Sequence, residues 1–560
     1  MKIRTILISG AIIASSCFNA FAQEPVDKEY EKRLKKINAA FEDFGRAYYT
    51  LLDYYVNELD PEALMEQAIK GMASSLDPYT ELLNDTDAET FEALASNKFT
   101  GVGIYTSPRD SMLTIVDVVS DSPAKKAGLR VGDRIYSVDG NIVLNSSDDR
   151  ARKYLRGKSG VPVTLKIIRD GRKDTLNYEI IRGEVPQKSL GYYGLIGDTV
   201  AYIQIKDFSG DTRNEVKNAY LEMKNISGSR LKSLVIDLRN NSGGLMMSAV
   251  DLFELFMPLG SYFGGISNRN ENKNQIYSNS MPVDAQIPMA IIVNEYSASA
   301  SEFFAAAMQD LDRAVIVGEK TFGKGISQII KDLPSGKNLK LTVDKFSAPS
   351  GRVFNTVNIN SSFNKKDTTK NKIDSAFSKN GRILFASSAI TPDSIVKEKA
   401  ISPLVMELLS KDVIFNYANL ITSNMSQLPN DFELNDSLFS QFKSYADSCL
   451  TNGSTILDNT LIAIKKQLGD SKYPQELIDK LQNLTNDFKK YYSNSYEDNK
   501  TILSKMLKAE IISRFNDDRE VMKFMLQDDE YLSCALDMLK REKYESVLRI
   551  SSSVYPKKGN

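Results

Sequence analysis

The stretch NEYSASASEFFAAAMQDLDRAVIVGEKTFGKG, residues 294–325, places three serines among small residues, then a helical run, a short apolar strand, and a lysine between two glycines. Ser299 and Glu302 spell an S-x-x-E capping box, so one plain reading is that Ser299 caps the helix that follows it. The same place suits a nucleophile. It follows the apolar strand MAIIVN through a short turn, and the free N–H groups and dipole of a helix start favour a developing oxyanion there. Ala298 and Ala300 would let a substrate carbonyl come close. The residues alone leave both readings open.

A nucleophilic serine needs a base, and the chain has no histidine at all. That absence excludes Ser-His-Asp hydrolysis, HExxH zinc chemistry and the usual histidine metal sites. Lysine is the remaining candidate, provided that it is neutral. An ordinary lysine, with a pKa of about 10.4, needs about 4.6 kcal/mol to be deprotonated at pH 7. Burial among apolar groups lowers that cost. Lys324 lies beside Phe322 and Ile326, with no acid within four residues on either side. Gln328, four positions on, falls on the same face and could orient a neutral amine without adding charge. The segment GEKTFGKG also approaches a phosphate-binding loop, but Gly325 stands where a Ser or Thr is required and the following ISQII favours a strand.

Upstream, LVIDLRNNSGGLMMSAVDLF (234–253) reads as a strand ending near Asp237, a turn over Gly243-Gly244, and a helix. This is either an ordinary strand–turn–helix connection or a place where the Gly243 N–H, with that of Ala300, faces a substrate carbonyl. Asp237 and Arg239 are expected to brace the loop by ion pairing or backbone hydrogen bonds.

Around this centre the chain changes rhythm several times. Residues 27–75 are helical in spacing, with Asp60 before Pro61 as an N-cap and first helical position. Residues 98–180 are strand-rich, with DG turns at Asp139-Gly140 and Asp170-Gly171 and one short helix near 147–156. From 198 short apolar strands alternate with helices, which argues an α/β layer structure. Residues 356–380 form a polar excursion, and beyond about 401 the chain is helical and charged.

Composition bounds the rest. With 560 residues the length fits roughly three to four domains. A formal net charge of −1, or −3 without Lys2 and Arg4, gives no electrostatic case for nucleic acid. Three cysteines, Cys17, Cys449 and Cys534, are too few for a disulfide scaffold or a four-cysteine zinc site, although a late disulfide stays open. The start, MKIRTILISGAIIASSCFNAFAQEP, has a basic head, an apolar run and Ala20-Phe21-Ala22 as a small-x-small site. It reads as an export signal cleaved after Ala22, with lipidation at Cys17 or a retained anchor as the alternatives.

Together, DLRNNSGG, the 294–325 stretch and LDPYTELL (76–83) resemble the C-terminal processing peptidases, or tail-specific proteases. The resemblance spans nearly the whole mature chain. It implies an α/β multidomain protein with a ClpP/crotonase-like protease core, an inserted β-rich PDZ domain and helical N- and C-terminal regions. The expected segments are a signal peptide (1–22), an N-terminal helical region (23–95), the PDZ domain (96–186), the protease core (187–400) and a C-terminal helical domain (401–560). Within the motif the family's nucleophile corresponds to Ser299, its general base to Lys324 and its supporting glutamine to Gln328. Asp310 matches a position that some members need, and reads here as structural. The chain departs from the pattern at Tyr296 and Ser327, and ASSAITPD (386–393) replaces a glycine-rich version.

TGVGIY (100–105) and PAKKAGLRVGDRIYSVDG (123–140) resemble a PDZ domain. Such domains bind a chain terminus as an added strand, with loop amides on its carboxylate. Gly101, Val102, Gly103 and Ile104 are the contacts this implies, and an apolar last side chain would suit Ile104. The expectation is an exported serine endopeptidase of the periplasm or cell envelope, without metal or cofactor. Its substrates would be proteins or peptides with free, apolar C-termini. An inactive PDZ scaffold of the envelope is the competing class, and a crotonase-type acyl-CoA enzyme a more distant one. An adaptor lipoprotein and a homo-oligomer are both compatible with the sequence.

Overall fold

The computed structural model describes residues 28–84, 96–109, 111–144, 154–269, 273–356, 375–385, 389–397, 400–425, 427–429, 432–452, 460, 463–468, 473–515 and 518–549. The expected export signal with Cys17, most of the short helix expected near 147–156 and most of the polar excursion lie outside these residues. The chain divides into two compact units, Met1–Met72 and Ala73–Asn560.

In the first unit, helix Lys28–Tyr54 is followed by helix Pro61–Ser74, which runs two residues past the division. Asp60 caps the second helix as expected, its Oδ1 accepting from the Glu62 and Ala63 amides at 2.8 and 3.2 Å. No helix among the described residues is long and apolar enough to cross a membrane.

The second unit is built on a six-stranded sheet in the order Leu190–Ile196, Val200–Ile205, Ser233–Asp237, Met289–Val293, Val315–Gly318, Ser394–Ile395. Only the first pair is antiparallel; the other pairings are parallel. Helices Thr212–Ser227, Met246–Phe256 and Ala300–Asp310 connect successive strands. They pack Val216, Phe253, Phe303 and Phe304 against Ile203, Leu234, Ile236 and Ile291 on one sheet face. Alternate residues Tyr202, Val235, Ile292 and Val317 point the other way, onto Leu526, Leu532, Ala535, Tyr544 and Leu548. The last helices of the chain therefore cover the sheet's second face. Both faces are buried, which is why these strands read as unbroken apolar runs.

Residues further upstream in the same C-terminal region form a separate helical core around Leu408, Tyr417, Phe442, Tyr496 and Leu507. The strand-rich segment folds as its own antiparallel sheet, with Ile104–Arg109 at one edge. Its entry and exit are tied by pairing of Lys98–Gly101 with Gly183–Pro186. A further sheet pairs Glu81–Leu83 with Asn338–Ser347, which also pairs with Ile326–Asp332. Cys449 and Cys534 are free thiols.

Candidate active site

Ser299 sits between strand Met289–Val293 and helix Ala300–Asp310, with φ 56° and ψ −116°. A non-glycine residue holds that conformation only where its surroundings impose it. The neighbouring chain does so. Ser297 Oγ donates to Leu238 O at 2.8 Å, the Ala298 amide to Asn241 O at 3.0 Å, and Ser301 Oγ to Asn241 O at 2.9 Å. Asn294 Oδ1 accepts from the Asn240 amide at 2.9 Å. The serine turn is thus stitched to the loop after Asp237, and the three serines separate by role. Ser297 and Ser301 are fully buried and committed to backbone oxygens, whereas Ser299 is partly exposed.

The S-x-x-E capping box is present, and its glutamate does more than cap. Glu302 Oε2 accepts from the Ser299 amide at 2.9 Å and from the Lys324 amide at 2.7 Å. Its Oε1 accepts from the Gly323 amide and from Thr321 Oγ1, both at 2.6 Å. The Phe322 amide donates to Ser297 O at 3.1 Å. The lysine loop is therefore fastened along the serine turn. Burial pushes the Glu302 carboxyl above its ordinary pKa, against the pull of these donors.

Glycine is required at two points of this arrangement. Gly243 has φ +110°, and a Cβ there would lie 2.8 Å from Ser299 Cβ and 3.1 Å from the Ala300 nitrogen. At Gly325 a Cβ would fall 1.8 Å from Phe354 O.

Lys324 has its pKa lowered to about 8, first by burial and then by Lys340, against the opposing pull of Glu302, Asp77 and Glu81. The sequence neighbours are not the whole cause. Ile326 is buried, but Phe322 is 46% exposed. The amine instead lies over the ring of Tyr79, 4.2 Å from its centroid. Among the described residues Lys324 Nζ makes no hydrogen bond, so the expected bond to Ser299 is not formed here.

Two further expectations differ. The Gly243 amide, expected to face substrate, donates to Asn241 Oδ1 at 2.8 Å, because the side chain two residues back folds over its own turn. The Ala300 amide has no acceptor among the described residues. Among the described residues no hydrogen bond joins Gln328 to Lys324. A bulge between Ser327 and Gln328 shifts the register, and Gln328 Nε2 donates to Thr342 Oγ1 at 3.3 Å. The ion pair expected of Asp237 and Arg239 is present at 2.6 Å, and Arg239 extends it to Asp529 at 2.8 Å. Asp310 is buried, pairs with Arg352 at 2.7 Å and accepts from the Ser350 amide at 2.9 Å, in keeping with a structural role.

Tyr79 and the hub made by Glu302 were not singled out as site residues from sequence. Glu302 was visible only as half of a cap, and Tyr79 only as a letter in LDPYTELL.

In the strand-rich domain Gly103 has φ +84°, and a Cβ there would collide with Ser122 Cβ at 2.3 Å. Its carbonyl accepts from the Val119 amide at 3.0 Å. Val102 is a core side chain, Gly101 ends a paired strand, and Ile104 opens the edge strand.

Residues 199–365 match the family described as Peptidase family S41, and residues 100–180 match PDZ domain. Residues 404–539 match Probable PDZ-protease, C-terminal helical domain, and residues 10–88 match Activating protease CtpB N-terminal domain. The chain is 33% identical over 333 residues to the carboxy-terminal processing protease CtpB of Bacillus subtilis, covering 59% of this chain and 67% of that one. It is 32% identical over 326 residues to the carboxy-terminal-processing protease of Bartonella bacilliformis, covering 56% and 73%. Among solved structures, the photosystem II D1 C-terminal processing protease aligns at 23% identity with a TM-score of 0.36, over 62% of this chain and 85% of that one.

Proposed function

Because the chain belongs to the carboxy-terminal processing proteases of peptidase family S41, we propose that it is an exported serine endopeptidase working through a Ser299–Lys324 dyad. The observation that carries this reading is the joint fastening of the two segments. Ser299 is the one partly exposed serine of its turn, and the Ser299 and Lys324 amides share one Glu302 oxygen.

In the proposed mechanism neutral Lys324 takes the proton of Ser299 Oγ, and the alkoxide attacks a peptide carbonyl. Collapse of the tetrahedral intermediate releases the new amine with a proton returned through Lys324, leaving an acyl-enzyme that water then hydrolyses. The Ala300 amide at the helix start is the first donor for the oxyanion. Gly243 becomes the second when its amide leaves Asn241. The reaction requires Lys324 Nζ to leave the Tyr79 ring for Ser299 Oγ, and apo active sites are commonly looser than the complexes that react.

The PDZ domain supplies the substrate. A tail adding to the edge strand Ile104–Arg109 would place its carboxylate at the Gly101–Ile104 turn, with an apolar last residue near Ile104. A ClpP/crotonase-like core is supported by the parallel strands with helices between them. The basic and apolar leader supports export to the periplasm or envelope.

The test is cleavage of an unstructured protein with an apolar C-terminus. Ser299→Ala and Lys324→Ala should each abolish it while leaving the circular dichroism spectrum unchanged. Retained turnover in either variant refutes the dyad.

A further inference from the structure

LDPYTELL places an aromatic ring over the one amine that the proposed mechanism needs. Asp77 Oδ1 accepts from the Tyr79 and Thr80 amides at 2.8 and 2.9 Å, and its Oδ2 from Thr80 Oγ1 at 2.8 Å. This turn is pinned to strand Asn338–Ser347. The Thr342 amide donates to Thr80 Oγ1 at 3.1 Å, Thr342 Oγ1 to Asp77 Oδ1 at 3.2 Å, and Glu81–Leu83 pairs with Asn338–Lys340. The same strand pairs with Ile326–Asp332, which begins two residues after Lys324. Tyr79 and Lys324 therefore hang from one strand, and the ring is not free to drift from the amine.

We infer that Tyr79 is a positioning residue of the Ser299–Lys324 pair, its ring face holding the Lys324 ammonium off the serine until the amine loses its proton. The inference rests on the dyad reading above. The face of an aromatic ring attracts a cation and has no such attraction for a neutral amine, whose lone pair meets the same π density. Deprotonation thus removes the hold at the moment the amine becomes a base, and the freed Nζ can turn to Ser299 Oγ. The proton passes to solvent, and no other reactant is needed. The groups facing the amine are Tyr79, Lys340, Glu302, Asp77 and Glu81, with Lys340 itself paired to Glu81. Of these only the Tyr79 ring distinguishes the two amine states by contact rather than by distant charge.

The experiment is the pH dependence of kcat/KM for casein hydrolysis by the mature full-length protein between pH 6 and 10. It compares wild type, Tyr79→Phe and Tyr79→Leu, with Lys324→Ala as reference. Phenylalanine keeps the π face, so its acid limb should superimpose on wild type. Leucine keeps apolar bulk but no π face, so its acid limb should move down by roughly half a pH unit. An unmoved limb overturns the inference. So does an upward shift, which would mean that the ring acts only by excluding water. Tyr79→Met gives the same comparison if the leucine variant does not fold. If Lys324→Ala still cleaves, the dyad reading has failed; if it is inactive and the limb stays put, only the role of Tyr79 has.

Discussion

The Glu302 carboxylate holds the backbone of Lys324, its Oε2 accepting from that amide at 2.7 Å while the same oxygen accepts from Ser299 at 2.9 Å. With Gly323 and Thr321 on Oε1, four donors converge on two oxygens. A carboxylate has lone pairs for all four, whereas an amide has one accepting oxygen and two donors of its own. Glu302→Gln should therefore set N–H against N–H or O–H inside a buried site. A loss of about 1–3 kcal/mol in stability is expected, together with at least a tenfold fall in kcat/KM. Urea denaturation and casein hydrolysis measure the two. A variant as stable and as active as wild type would show that the hub is dispensable.

Lys324 makes a second prediction, about stability and not rate. Its folded pKa, about 8, lies below the ordinary 10.5. Between those values the unfolded chain binds more protons than the folded one, so stability rises with pH across that window. Below pH 8 the folded protein bears the full cost of a buried ammonium. Lys324→Met keeps an unbranched side chain one heavy atom shorter and removes the charge. It should be more stable than wild type at pH 7 by about 1–3 kcal/mol, with the gap closing towards pH 10.5. Denaturation midpoints of both proteins at pH 7 and pH 10 decide it. A gap that is constant with pH would place the lysine's titration elsewhere.

How far the sequence could reach is set by which partners are near in the chain. The strands Ser233–Asp237, Met289–Val293 and Val315–Gly318 were legible because burial on both faces leaves them continuously apolar. The cover on the second face, Leu526 to Leu548, was not, since helix periodicity states which stripe is apolar but not what it meets. The same limit applied at the site. Ser299 and Lys324 could be proposed from local motifs, but the environment of Lys324 could not. Its local neighbour Phe322 faces solvent, and the covering ring of Tyr79 arrives through a strand pairing distant in sequence. The capture of the Gly243 amide by Asn241 is a local Asx turn, which the Asn-x-Gly spacing offers but which competes there with a free amide facing substrate.

Gly243 supports a third prediction. Alanine there would have to hold φ +110° and place its Cβ 2.8 Å from Ser299 Cβ. Neither atom can retreat easily, since Ser299 is fixed by its own unusual backbone and by Glu302. Gly243→Ala should displace the serine and reduce kcat/KM at least a hundredfold, far more than its stability loss of roughly 1–3 kcal/mol would cause. Kinetics at a temperature well below the unfolding midpoint separate the two effects. Activity within a fewfold of wild type would mean that the Ser299 position tolerates movement.

The last prediction concerns the contact between the PDZ and C-terminal helical segments. Arg109, at the end of the PDZ edge strand, pairs with Asp412 at 2.6 Å and lies 3.9 Å from the centroid of the Phe415 ring, which Arg514 also approaches at 4.4 Å. Beside it, Asn419 Oδ1 accepts from Arg514 Nε at 2.9 Å. A Cβ on Gly132 of the PDZ domain would lie 2.3 Å from that same oxygen. Gly132→Ala should therefore push Asn419 off Arg514 and leave a buried guanidinium nitrogen without its acceptor. Gly140→Ala is the control, because its φ of +78° imposes similar backbone strain while a Cβ there meets nothing within 4 Å. The control should lose about 1 kcal/mol, and Gly132→Ala about 1–3 kcal/mol more. Chemical denaturation of both variants provides the comparison. Equal losses would mean that the helical segment yields to the extra methyl and does not grip the PDZ domain at this point.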